Sequence, residues 1–253
     1  MTDYDALLNT AASIGVQMLE SGAEAYRVED SLQRLCRAYG ADSCEIFAIP
    51  SLLIVSLCDP EGHSHTRVRR LYRRGTNLWQ VDQLNSLCRA VCQGTPPFPE
   101  VDGSLARLAE AKGYSPLLQL AGFAFVAAFF TLLFKGTAAD ALCSLVAGAV
   151  IFFAKYPMER HRANSFFVNG ACSFLAALTA IAGVRLGVGQ NLDKIIIGAF
   201  MGLVPGVAIT NFMRDVLEGD LFAGITKLTE SLLTATALAL GAGIALSLLG
   251  GAA

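Results

Sequence analysis

Through residue 116 the hydrophobic positions recur at helical or strand spacing, and from 117 onward they run almost unbroken. In residues 5–20, Leu8, Ala11, Ala12, Gly15, Met18 and Leu19 share one helical face, which predicts an amphipathic helix ending at Ser21-Gly22. Ser21 precedes Glu24 by three residues, the capping-box spacing for a second helix over 23–39. There Ala25, Val28, Leu32, Leu35 and Tyr39 make the buried stripe, with Glu24, Arg27, Asp30 and Arg34 on the more polar side. Gly40 stops it. The period then shortens. CEIFAIP (44–50) and LLIVSLC (52–58) read as strands, DPEG (59–62) as a turn, and SHTRVRRLYRR (64–74) as an alternating strand with Arg67, Arg69 and Arg73 on one face. Helical spacing returns over 77–92 through Leu78, Val81, Leu84, Leu87, Cys88 and Val91. GTPPFP (94–99) breaks it before a last helix near 101–112. Residues 1–116 thus form an α+β domain large enough for its own core.

Five apolar segments follow, at about 117–134, 138–154, 166–184, 192–209 and 231–249. Each reaches the lower limit for a bilayer-spanning helix, roughly 17 residues. The expected architecture is a cytosolic α+β domain followed by a five-helix transmembrane bundle over 117–253.

Composition supports that division. Of all residues 54% are apolar and 16% charged, and the formal charge of -2 gives no support to nucleic-acid binding. Flanking charges set the topology. With the N-terminus cytoplasmic, 16 Lys and Arg lie inside and only Lys135, Arg185 and Lys194 outside, so five crossings place the C-terminus outside. The acidic start, MTDYDALLNTAASIG, lacks the basic region of a signal peptide. Seven cysteines, an odd number without a CxxC, argue against a disulfide framework. Cys88 and Cys92 share a helical face, but they lack a second close pair and are read as packing residues.

Chemistry concentrates at a few positions. Gly198, Gly202 and Gly206 recur every four residues, a pattern for close helix packing in lipid. Pro205-Gly206 either ends that span or breaks it within the membrane. Asp140 and Asn169 are polar groups within apolar segments and are functional candidates for that reason, though Asp140 also suits the first turn of a helix. Asn211, Arg214 and Asp215 adjoin the broken span, where Arg214 and Asp215 suit a gate or a salt bridge. No nucleophile–base pair and no nucleotide-binding glycine loop occurs, so no catalytic residue, metal or cofactor is expected.

Three stretches carry a resemblance: SGAEAYRVEDSLQRLCRAYG (21–40), RVRRLYRRGTNLWQVDQLNSLCRAV (67–91) and GLVPGVAITNFMRDVLEGDLFAGI (202–225). Together they resemble the threonine/serine exporter family, in particular the larger subunit of its split, two-protein type. The resemblance implies export of small polar metabolites driven by the proton gradient. Threonine and serine are the first expectation, and succinate or another dicarboxylate, as in the succinate-exporter pair, is the alternative. It also implies a multi-pass protein of the bacterial inner membrane. Its partner would be a second, small integral membrane subunit of four or five spans, with homo-oligomerisation a further option. Carried onto this chain, the family pattern singles out Gly22, Glu24, Arg27 and Glu29, then Gly75, Thr76 and Asn77, then Pro205, Gly206, Asn211, Arg214 and Asp215. Asp140 and Asp215 are the candidates for relaying the coupling proton. The contrasting reading is a membrane-anchored enzyme or sensor; as an enzyme it needs Glu24, Arg27 and His63 or His65 in one pocket.

Overall fold

α1 (Tyr4–Glu20) begins where the Asp3 side chain accepts the amide of Ala6 at 3.0 Å, and ends with Ser21 as its C-cap. Ser21 therefore does not open α2 (Ala25–Ala38), as the capping-box spacing suggested. The N-cap of α2 is Glu24, whose side chain makes no cap hydrogen bond. Between the helices Gly22 takes a φ of +90°, a conformation that disfavours any residue with a Cβ. The computed structural model describes residues 3–72, 75–111, 113–161 and 163–249.

Three strands, β1 (Ser43–Ile49), β2 (Leu52–Cys58) and β3 (Ser64–Arg70), form an antiparallel sheet in chain order. Ala48 opposes Leu53, and Val55 opposes Arg67. Period-two alternation turns Cys44, Ala48, Leu53, Val55 and Leu57 inward, where they pack with Leu7, Ile14, Met18, Val28, Leu32 and Leu35 of α1 and α2. β3 stops at Arg70, earlier than its alternation suggested; Arg73, assigned to one of its faces, and Arg74 lie outside the described residues. α3 (Leu78–Gly94) and α4 (Phe98–Ala109) add Val81, Leu84, Val91, Val101 and Leu105 to the same core.

The remaining helices are α5 (Pro116–Leu133), α6 (Ala138–Arg160), α7 (Ser165–Arg185), α8 (Leu192–Phe200), α9 (Gly206–Leu217) and α10 (Leu221–Leu249). The chain separates into two units. One comprises Met1–Lys112 with Val207–Thr229, and the other Gly113–Gly206 with Glu230–Ala253. The first thus recruits a segment that hydropathy alone groups with the spans, and Ala223 of α10 enters its core.

Among the described residues four helices, α5, α6, α7 and α10, are long and apolar enough to cross a membrane. They leave Phe125, Phe129, Leu133, Leu142, Phe153, Phe167, Leu233 and Leu240 exposed, an outer face suited to lipid rather than water. This is a membrane-protein fold with a small three-stranded sheet near its N-terminus. The expected fourth span, 192–209, is not one helix. α8 has nine residues, about 14 Å at 1.5 Å per residue, against a hydrocarbon core of about 30 Å. Pro205 lacks the amide that would bond the Met201 carbonyl and disfavours helical geometry at Val204, so the chain turns over 201–205 before α9.

In the second unit, small residues set the helix approaches. A Cβ on Gly148 would lie 2.4 Å from the Phe123 carbonyl oxygen, and one on Gly241 2.2 Å from that of Gly170. At Gly198 it would lie 2.0 Å from Thr131 Oγ1. The expected glycine row is only partly realised, because α8 ends before Gly202. A Cβ on Gly202 would lie 3.3 Å from the Phe123 ring, and nothing lies within 4 Å of a Cβ at Gly206.

Candidate functional site

The site grows from the turn between α1 and α2. A Cβ on Gly22 would sit 2.8 Å from the Gly75 carbonyl oxygen, so only glycine lets the turn lie against residues 75–76. The Asn77 amide donates to the Ser21 carbonyl at 2.9 Å, and Asn77 Oδ1 accepts the Gln80 amide at 3.1 Å. Asn77 is thus the N-cap of α3, and Gly75 and Thr76 are backbone neighbours of Gly22. On its other side the Gly22 carbonyl accepts Asn211 Nδ2 of α9 at 3.1 Å.

One turn further on, Glu24 collects two arginines. Its Oε2 lies 2.9 Å from Arg27 Nε and its Oε1 3.0 Å from Arg214 Nη1. The Arg214 guanidinium also stands 6.0 Å from the centroid of the Tyr26 ring. The hydrogen bond to Glu24 holds its pKa above the usual arginine value. Arg214 and Asp215 do not pair with each other, because neighbouring residues on a helix project about 100° apart. Asp215 is fully buried and takes Lys227 Nζ of α10 at 2.7 Å, while its Oδ1 has no hydrogen-bond partner.

Glu29, in the helix that Glu24 precedes as N-cap, accepts the Ala48 amide of β1 through Oε1 at 2.7 Å. Burial pushes its pKa up from 4.5 to about 7; the Ala48 hydrogen bond opposes the rise, and the charges of Asp220 and Asp215 add to it. Burial raises Asp220 as well, followed by the negative charge of Asp215.

Gly22, Glu24, Arg27, Glu29, Gly75, Thr76, Asn77, Asn211, Arg214 and Asp215 are therefore gathered in the first unit. Asn169, Pro205 and Gly206 belong to the second. So does Asp140, which forms a capping box with Thr137 at the start of α6. Asp140 also accepts the amides of Gln190 and Asn191 at 2.6 and 2.9 Å and Asn191 Nδ2 at 2.7 Å. Of its two sequence readings, the helix-start one describes this geometry, since its oxygens tie the turn before α8 to α6. Lys227 and Tyr26 were missed by sequence reasoning. The only signal for Lys227 was a lone cation at the polar edge of an apolar helix.

The residues an enzymatic reading needed have separate partners. His63 Nδ1 and His65 Nε2 lie 3.1 and 3.4 Å from Asp59 Oδ2 at the β2–β3 turn. Burial would raise Asp59, but the His63 amide and the two imidazoles outweigh it and hold its pKa at about 2. Burial pushes the Cys88 thiol up to about 12, as suits a packing residue.

These features define a multi-pass membrane protein whose polar unit fastens a segment from between apolar helices to its own N-terminal motif. The chain belongs to the threonine/serine exporter family, whose model, described as a putative threonine/serine exporter, matches residues 9–249. It is similar to the probable succinate transporter subunit YjjP of Klebsiella aerogenes, 25% identical over 252 residues covering 98% of this chain and 96% of the relative. The protein of that name from Escherichia coli K12 is 23% identical over 248 residues, covering 97% and 95%. No solved structure matches.

Proposed function

We propose that the chain is one subunit of a secondary exporter of small carboxylate-bearing metabolites, with a dicarboxylate such as succinate as first substrate. The observation that carries this reading is the convergence of Glu24, Arg27, Asn211 and Arg214 in one unit of a membrane protein. Arginines suit carboxylate recognition through their paired N–H donors. The choice of succinate draws on the names of the relatives, which also imply a partner subunit, here a small membrane protein of four or five spans. Threonine and serine form the second reading, favoured by the family's description. Membership of an exporter family points away from catalysis.

In this reading the first unit is cytoplasmic, in a bacterial inner membrane, and α8 with the 201–205 break makes an interrupted fifth crossing that leaves the C-terminus outside. α10 supports it. Its 29 residues extend about 44 Å, and residues 230–249 alone match the roughly 30 Å hydrocarbon core. Asn169, Pro205 and Gly206 are the pathway candidates of the second unit, and Asn211 and Arg214 the gating candidates of the first. Coupling to the proton gradient is part of the proposal, with Asp215 the better placed of the two original carboxylate candidates.

The test is counterflow in proteoliposomes containing this chain and its proposed small membrane partner, to be sought in the adjacent gene. Labelled succinate should exchange, and Arg214→Gln should abolish most of the exchange at equal protein levels. Exchange of threonine and serine alone would select the second reading. Absence of exchange for all three would end the proposal.

A further inference from the structure

The β2–β3 turn gathers side chains that the Glu24–Arg214 cluster does not use. The Asp59 amide closes the turn by donating to the His63 carbonyl at 3.0 Å, and Gly62 takes a φ of +87° within it. Asp59 is buried and divides its carboxylate between two tasks. Oδ1 accepts the amides of Glu61 and His63, both at 2.9 Å, which fixes the orientation of the group. Oδ2 is left facing His63 Nδ1 at 3.1 Å and His65 Nε2 at 3.4 Å. Glu61 Oε2 stands 3.8 Å from the same His63 nitrogen, and Asp59, Glu61 and His63 present ligand atoms all within 4.8 Å of one another.

Those separations are the ones a shared ion sets. Two donors on bonds of about 2.1 Å at a tetrahedral angle stand about 3.4 Å apart. Two carboxylates this close repel each other unless a cation lies between them. With neutral imidazoles, the form that ligates, Asp59 and Glu61 contribute one negative charge each, which matches a divalent ion. On the outer side of His65, Asp5 Oδ1 of α1 lies 3.6 Å from Nδ1, and the Tyr4 ring stacks on the imidazole with centroids 6.0 Å apart. A carboxylate beside the nitrogen that does not ligate is the usual support of a metal-binding histidine.

We propose that Asp59 Oδ2, Glu61 Oε2, His63 Nδ1 and His65 Nε2 bind a divalent transition-metal ion, with zinc as the type. Two nitrogen and two oxygen donors select zinc and its first-row neighbours over magnesium and calcium, which take oxygen. Glu61 and His63 are exposed, so the ion enters from solvent and small rotations of these two side chains close the set around it. The site shares no residue with the exporter reading and does not depend on it.

The experiment is zinc titration of the purified, tag-free, chelator-stripped full-length chain by calorimetry, repeated with cobalt for its visible spectrum. One equivalent should bind with micromolar or tighter affinity, and excess magnesium should not compete. Cobalt should show ligand-field bands without the sulfur charge-transfer band that cysteine ligation gives. His63→Gln and Glu61→Gln, both at exposed positions that leave the fold intact, should each weaken binding at least about 10-fold, a loss that even an outer partner of a metal ligand causes. The double variant His63→Gln/His65→Gln should abolish it. Absence of zinc uptake by the wild type, a sulfur band with cobalt, competition by magnesium, or affinity unchanged in His63→Gln or Glu61→Gln overturns the proposal.

Discussion

Arg214 of α9 reaches Glu24 at the start of α2, with Nη1 3.0 Å from Oε1, although 190 residues of chain separate them. Glu24 is largely shielded and holds Arg27 at the same time, so the three side chains act as one charged group. Glu24→Gln and Arg214→Gln should therefore each lower counterflow by a similar factor, and the double variant should lose little more than either alone. Additive losses in that double-mutant cycle would mean the pair is not the shared element.

Gly22 is held between the Gly75 backbone and the Asn211 side chain. Gly22→Ala forces a Cβ onto a φ of +90° and to within 2.8 Å of the Gly75 carbonyl oxygen. A non-glycine residue in such a conformation costs about 1–3 kcal/mol. Chemical denaturation of the purified chain should show a loss of that size, with faster amide exchange in residues 20–24.

Gly198 and Gly206 lie eight residues apart in the same glycine row and should respond differently. Gly198→Ala drives a methyl into Thr131 and the Ala127 carbonyl, an overpacking of about 1–3 kcal/mol. Gly206→Ala meets nothing within 4 Å and should be tolerated. Thermal unfolding in detergent distinguishes them: a clearly lower midpoint for the first, and little change for the second.

Asp140 is a structural acceptor. Asp140→Ala removes the acceptor of the Gln190 and Asn191 amides, at about 1 kcal/mol for each. The unfolding midpoint should fall in this variant, while the pH profile of whatever export survives keeps its shape. A profile displaced along the pH axis would assign Asp140 to proton coupling.

Glu29 gives the first unit a pH-dependent stability whose sign follows from its raised pKa. The neutral form is favoured in the folded state, so its contribution is complete below the ordinary value of 4.5 and is lost as pH rises through about 7. Unfolding measured across that interval should show stability declining with pH in the wild type. In Glu29→Gln this component should be flat.

Particular residues show what could be read from the chain. The spacing of Val28, Leu32 and Leu35 defined α2, and the alternation of Leu53, Val55 and Leu57 defined the inner face of β2, because each pattern needs only one buried side. Pro205 signalled a break, but its extent over 201–205 depended on where α8 ended. The Ser21–Glu24 spacing misled, because a capping box competes with other claims on the same carboxylate, and Arg27 and Arg214 hold Glu24. The motif residues around Glu24 and Arg214 were identifiable, whereas their contact was not.

The sequence by itself determined the apolar segments, the α+β character of the first hundred residues and the family, since these rest on local periodicity and on the order of motifs along the chain. Only the tertiary structure decided that residues 207–229 pack with the N-terminal unit and that Asp215 turns to Lys227 rather than Arg214. It also decided that Glu29 of α2 caps the Ala48 amide of β1. Charge partners distant in sequence are selected by burial and packing, and neither is encoded in the spacing of the residues that meet.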